Sequence, residues 1–132
     1  MNDKLFVYGT LLDRSNKYGV YLKDNSTHYA NGKVQGRLYD IGEYPGAVLT
    51  SGEEEYVYGT ILKLREPEEM LIVLDEYEGF GEDLLQPNEF IRVLTQAETA
   101  AGIVDCWIYV YNLSIDGIKR IVSGQYPGQN DL

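Results

Sequence analysis

Apolar residues run from Leu5 to Tyr8 and stop at Gly9, which predicts a short buried strand over residues 4–8. Residues 11–16 read as a loop able to begin a helical turn, and 16–32 are polar, with turn signals at Asn25-Ser26-Thr27 and Asn31-Gly32. Val34 and Leu38, set off by Gly36, predict a strand over 33–39. A loop at 42–46 leads to a short strand at 47–49, and Gly52-Glu53-Glu54 reads as a hairpin turn before a strand over 55–64. Glu66-Pro67-Glu68-Glu69 opens a helix, because proline and acids both suit a first turn. Met70, Val73, Leu74 and Tyr77 repeat at helical spacing, and Gly79 closes the element. An acidic loop over 80–88 precedes strands at 89–96 and 102–111. The second of these puts Val104, Cys106, Ile108 and Val110 on one face and Trp107, Tyr109 and Tyr111 on the other. A short helix is predicted over 116–122, capped by Ser114 or Asp116, with a turn-rich tail after it. Strand follows strand without regular βαβ alternation. The fold class expected is α+β, with an antiparallel or mixed sheet able to close into a barrel.

At 132 residues the chain is read as one domain over 1–132. No stretch approaches the roughly 20 apolar residues of a membrane span. Met1-Asn2-Asp3-Lys4 lacks the charged and apolar regions of a signal peptide, so a cytoplasmic location is expected. The net charge of −10 argues against nucleic acid, which needs a basic footprint, and against an anionic membrane surface. A lone cysteine, Cys106, excludes a disulfide framework and a cysteine-rich metal site, and its mid-strand position marks it as a core thiol. His28 falls in a polar stretch with no evident partner. No phosphate loop, dinucleotide fingerprint or His-Glu-x-x-His is present, so neither a cofactor nor a metal is expected. Twelve tyrosines against three phenylalanines point to half-wet strands or a polar pocket. Val7-Tyr8-Gly9-Thr10-Leu11-Leu12 is echoed by Val57-Tyr58-Gly59-Thr60-Ile61-Leu62, which is too short an echo to define a repeat protein.

Two features could carry chemistry. In Tyr8-Gly9-Thr10-Leu11 a strand breaks at glycine, where successive backbone amides can converge on an anion; a plain tight turn reads the same way. In Leu74-Asp75-Glu76-Tyr77-Glu78-Gly79 three acids sit in a last helical turn, where the dipole and mutual repulsion disfavour their charged forms. Asp75 and Glu78 share a face, and a partly buried acid there would hold its proton toward neutral pH. The competing reading is a solvated acidic face.

Taken together, these residues resemble the gamma-glutamylcyclotransferase-like family. Phe6-Val7-Tyr8-Gly9-Thr10-Leu11 resembles its Tyr-Gly-Ser/Thr-Leu signature. Val34-x-Gly36-x-Leu38-Tyr39-x-x-Gly42-x-Tyr44-Pro45-Gly46 resembles its second block, and Val57–Leu62 its glycine-containing strand. Leu74-Asp75-x-x-Glu78-Gly79, Phe90-Ile91-Arg92-Val93 and Ser123-Gly124 follow in the family's order. The sequence departs at Phe90, where the family often has tyrosine, and at Gln125-Tyr126. The resemblance implies a small distorted β-barrel flanked by short helices. It implies cyclisation of a γ-glutamyl compound to 5-oxoproline with release of an amine, without metal or cofactor. Glu78 matches the family's catalytic glutamate, and Tyr8, Gly9, Thr10 and Leu11 match its substrate-binding loop. The partner implied is a small γ-glutamyl molecule, the chain acting as monomer or homodimer. Two alternatives remain: a binding module that keeps the pocket without the chemistry, and a structural adaptor marked by an exposed apolar patch.

Overall fold

The fold is organised by one strand long enough to belong to two surfaces. In the computed structural model, which describes residues 2–9 and 17–126, β2 (Ser26–Asp40) runs for 15 residues. Its first part pairs antiparallel with β4 (Tyr56–Leu64). Its far end pairs with β3 (Pro45–Leu49) and with the two-residue β7 (Arg120–Ile121). β4 pairs antiparallel with β1 (Lys4–Val7), which lies parallel to β6 (Gly102–Tyr111), itself antiparallel to β5 (Phe90–Thr99). β5 returns to β2 at Gly32↔Thr99 and Lys33↔Glu98, closing five strands into a barrel. The expected α+β class with a mixed barrel and flanking helices is what the structure contains.

Two cores explain the apolar pattern. Phe6, Val34, Val57, Ile61, Cys106 and Ile108 point into the barrel. Leu5, Val7, Leu64, Leu71 and Leu74 fill the space between its outside and the two helices, α1 (Lys17–Asp24) and α2 (Pro67–Glu78). β1 therefore buries both faces, which is why its sequence is continuously apolar rather than alternating. Cys106 is fully buried, and burial pushes its thiol up to about 11, in keeping with a core role. α2 begins with proline in its first turn and ends at Gly79, whose left-handed φ of 78° lets the Gly79 and Phe80 amides donate to the Glu76 and Asp75 carbonyls.

The structure departs from the sequence reading in three places. The polar stretch after residue 16 holds α1 and half of β2. Asn31-Gly32 is strand rather than turn, and His28 lies exposed on that strand with its Nε2 3.0 Å from Asn31 Oδ1. The helix expected over 116–122 is instead a turn, with Gly117 at φ 76°, leading into β7. Seven residues gain little from a helical nucleus, and the open edge of β2 takes their backbone instead; the Asp40 amide donates to the Lys119 carbonyl at 2.8 Å. The first echoed segment begins at Val7, the last residue of β1, which faces Thr60 of the second in antiparallel register, and the glycines of the two do different work. A Cβ at Gly59 would lie 2.3 Å from the Val7 carbonyl oxygen and 2.8 Å from the Phe6 ring, whereas one at Gly9 would strike the Pro45 ring at 2.8 Å.

Gly59→Ala is accordingly expected to lower stability by about 1–3 kcal/mol in urea unfolding through overpacking. Gly81→Ala, whose Cβ meets nothing closer than 3.5 Å, should stay within about 0.5 kcal/mol of the parent.

Candidate active site

Where β1 ends, the last turn of α2 and the first residues of β5 meet it around a cavity of about 250 Å³. β1 and its exit contribute Val7, Tyr8 and Gly9, and the turn into β3 contributes Tyr44 and Pro45. The opposite wall is Tyr77 and Glu78 from α2, Glu89 and Phe90 from the start of β5, and Tyr109 from β6.

Tyr8 is buried, and its hydroxyl is fully engaged. It donates to the Tyr109 carbonyl at 2.5 Å and accepts from the Ala47 amide at 3.1 Å, while burial holds the phenol in its neutral form. Tyr8 thus supplies wall and anchors the exit of β1; its hydroxyl is committed to the protein. Gly9 lies against Pro45 so closely that no Cβ would fit. Thr10 and Leu11, expected to complete this loop, lie outside the described residues.

The three acids at the end of α2 have three fates. Glu76 is exposed to solvent. Asp75 is locked: Arg92 Nε and a terminal guanidinium nitrogen donate to its two oxygens at 2.7 and 3.0 Å, and the Tyr109 hydroxyl donates to Oδ1 at 2.7 Å. The Arg92 guanidinium also stacks over the Trp107 ring at 4.2 Å. Asp75, which shares a helix face with Glu78 in the sequence, is therefore held by β5 and β6 and is not among the residues lining the cavity. Glu78 alone lines the cavity, and among the described residues it makes no hydrogen bond or ion pair. Burial, and then the negative charge of Glu89, push its carboxyl up to about 7.

Glu89 and its partner were not singled out in the sequence. The Tyr44 hydroxyl donates to Glu89 Oε2, and the Tyr44 ring packs on Phe90, centroids 5.9 Å apart. Buried Asn88 sets the approach to β5: its side chain accepts from the Gly81 amide and donates to the Gly81 and Leu85 carbonyls, and its carbonyl accepts from Asn112. Among the described residues no lysine, arginine or histidine lines the cavity. Among the described residues no group of histidine, cysteine and acidic side chains is arranged to hold a metal, and no helix is long and apolar enough to cross a membrane.

A family profile described as "Gamma-glutamyl cyclotransferase, AIG2-like" matches residues 5–128 of the sequence. The chain belongs to this family. Among similar members, the gamma-glutamylcyclotransferase family protein YtfP of Escherichia coli K12 is 31% identical over 130 residues, covering 93% of this chain and 95% of its own. The solution structure of E. coli ytfP superposes with a TM-score of 0.67 at 27% identity, covering 97% of this chain and 99% of that one. YkqA from Bacillus subtilis superposes with a TM-score of 0.71 at 27% identity; the match covers 98% of this chain but 41% of the Bacillus one. A mouse AIG2-like protein, 21% identical with a TM-score of 0.64 over 98% of this chain and 83% of its own, shares the fold.

In this cyclotransferase-family barrel the parts that sequence reasoning missed are those brought in from other strands: Tyr44, Glu89, Arg92 and Tyr109. Tyr44, Arg92 and Tyr109 stood in strands and blocks already recognised, but nothing local marks which acid a given tyrosine or arginine will meet.

Because the folded state holds the Glu78 proton up to about pH 7 while the unfolded chain releases it near 4.5, the parent loses stability as pH rises through that window. Glu78→Gln should match the parent in melting temperature near pH 4. Above pH 7 it should be the more stable by about 1–3 kcal/mol, a value reduced for the cavity's open side. Asp75→Ala should cost about 2–4 kcal/mol in urea unfolding, since it strands a largely buried guanidinium.

Proposed function

We propose that the protein is a γ-glutamyl cyclotransferase with Glu78 as its general base and acid. The observation that supports this reading is a cavity carboxyl without a hydrogen-bond partner among the described residues, its proton affinity poised near neutrality. In the free enzyme above pH 7 Glu78 is ionised. It takes a proton from the substrate's α-ammonium, and the freed amine attacks the γ-carbonyl carbon. A carbon–nitrogen bond forms within the five-membered ring, Glu78 returns its proton to the departing nitrogen and the amide carbon–nitrogen bond breaks, while the ring nitrogen gives up its second proton through the same carboxylate to the released amine, which leaves as an ammonium ion. The products are 5-oxoproline and an amine, with protons and electrons balanced and no co-reactant consumed.

The loop after β1 has the complementary task. Gly9, with Thr10 and Leu11, is assigned the backbone amides that hold the α-carboxylate or the charge developing on the γ-oxygen. Tyr8 fixes the start of that loop through its two hydrogen bonds. A cavity of about 250 Å³ suits a small amino-acid derivative. Since nucleophile and electrophile belong to one molecule, holding the chain of the substrate folded supplies much of the acceleration.

Incubation with γ-glutamyl amino acids, Nε-γ-glutamyl-lysine and glutathione should yield 5-oxoproline by mass spectrometry. Glu78→Gln should reduce turnover by about 10²–10⁴-fold while the fold is kept. kcat/KM should rise with pH along a limb centred near 7, because the ionised base is the active form. Stabilisation by these compounds without any 5-oxoproline would replace the enzyme reading with that of a binding module.

A further inference from the structure

The cavity holds a second carboxylate that the reaction above does not use. We propose that Glu89, held by the Tyr44 hydroxyl, is the carboxylate that receives a primary ammonium group of the substrate, leaving Glu78 to carry the proton. The substrate's identity here rests on the cyclotransferase reading.

Three observations lead to this division. First, both acids line one small cavity to which no lysine, arginine or histidine of the described residues contributes, so a cationic occupant would find two acids there and no described cation to compete with it. Second, their surroundings differ. Glu78 sits in the last turn of α2, at the negative end of the helix dipole, and receives no hydrogen bond from the described residues. Glu89 stands at the entry to β5 and accepts from Tyr44. A donor on one carboxylate and none on its neighbour gives the two acids different positions: Glu89 is oriented by the protein, and Glu78 is left to its occupant. Third, Glu89 is rigidly presented. Asn88 beside it is buried and pinned to Gly81, Leu85 and Asn112, and Tyr44 is packed on Phe90, which in turn meets Tyr111 edge-on at 5.5 Å. Only Oε2 of Glu89 is engaged among the described residues, which leaves Oε1 to accept from an ammonium group.

That ammonium can be the α-ammonium of the glutamyl part or a cationic end of the leaving amine, and three probes separate them. They are γ-glutamyl-butylamide, the γ-glutamyl monoamide of 1,4-diaminobutane, and N-butylglutaramate, which lacks the α-amine. Binding is measured by calorimetry on Glu78→Gln, which removes turnover, with and without Glu89→Gln. If the α-ammonium docks on Glu89, the second substitution weakens both γ-glutamyl amides about 10–100-fold and leaves N-butylglutaramate unchanged. If the leaving side docks there, only the advantage of the diaminobutane amide over the butylamide disappears. In either case Glu89→Asp should restore part of the loss. Changes below about twofold for all three probes, in a protein that melts normally, would overturn the assignment. Failure of the cyclotransferase reading would show separately, as wild-type protein that makes no 5-oxoproline from either amide. In that event 1,4-diaminobutane alone decides: binding lost in Glu89→Gln sustains the ammonium site, and no binding refutes it.

Discussion

The arrangement of the site depends on the contact among Asp75, Arg92 and Tyr109. Arg92 comes from β5, Tyr109 from β6 and Asp75 from α2, so a single carboxylate ties the helix to two strands of the barrel. The ion pair is only 15% and 19% exposed, and the guanidinium is further sheltered by Trp107. A pair this well satisfied contributes geometry more than net energy, since desolvation offsets much of the attraction. Here the geometry is what matters. With Asp75 bound to the sheet, the last turn of α2 is fixed in rotation, and Glu78 is carried to the cavity wall. The same Tyr109 passes its carbonyl to the Tyr8 hydroxyl, so the exit of β1 is referred to the same anchor.

The chemistry of the cavity then follows from what is withheld. Arg92 is the cation nearest in sequence to the site, and it is spent entirely on Asp75. Tyr8 and Tyr109 also give their hydroxyls to protein acceptors. Of the carboxylates facing the cavity, Glu78 has no hydrogen-bond partner among the described residues and Glu89 has one. In a low-dielectric recess such an imbalance is expressed as proton affinity, and a neighbouring anion adds to it. Among the described residues the fold thus raises the proton affinity of one acid by leaving it out of the hydrogen-bond network.

Much of this was legible in the sequence, for identifiable reasons. β1, and β6 from Cys106 onward, bury both faces and so carry strong apolar signals. α2 announces itself with Pro67 and Gly79. The crowding of acids at its end marked Glu78, and the order of weak motifs along the chain marked the family. What was not legible depends on distant partners. The outward half of β2 faces solvent and reads as loop; only closure against β4 and β5 makes it strand. Tyr18 of α1 joins the structure through the ring of Tyr77, centroids 4.2 Å apart, a contact with no local signature. The helix anticipated before the C-terminal tail yielded to an open sheet edge. Asp75 and Glu78 looked alike because their difference lies in an arginine on another strand.

The position of β1 in the sheet has a further consequence, for the order in which the barrel can be assembled. β1 is the earliest strand in the chain, yet it is hydrogen-bonded on one side to β4 and on the other to β6, with Leu5 beside Trp107. Its second partner is synthesised about 100 residues later, so the central seam of the barrel is among its most non-local contacts and closes late. Until then the apolar run of β1, destined to be covered on both faces, has one available edge and no roof. A growing chain of this design must keep its most aggregation-prone strand in hand while the rest of its barrel is made.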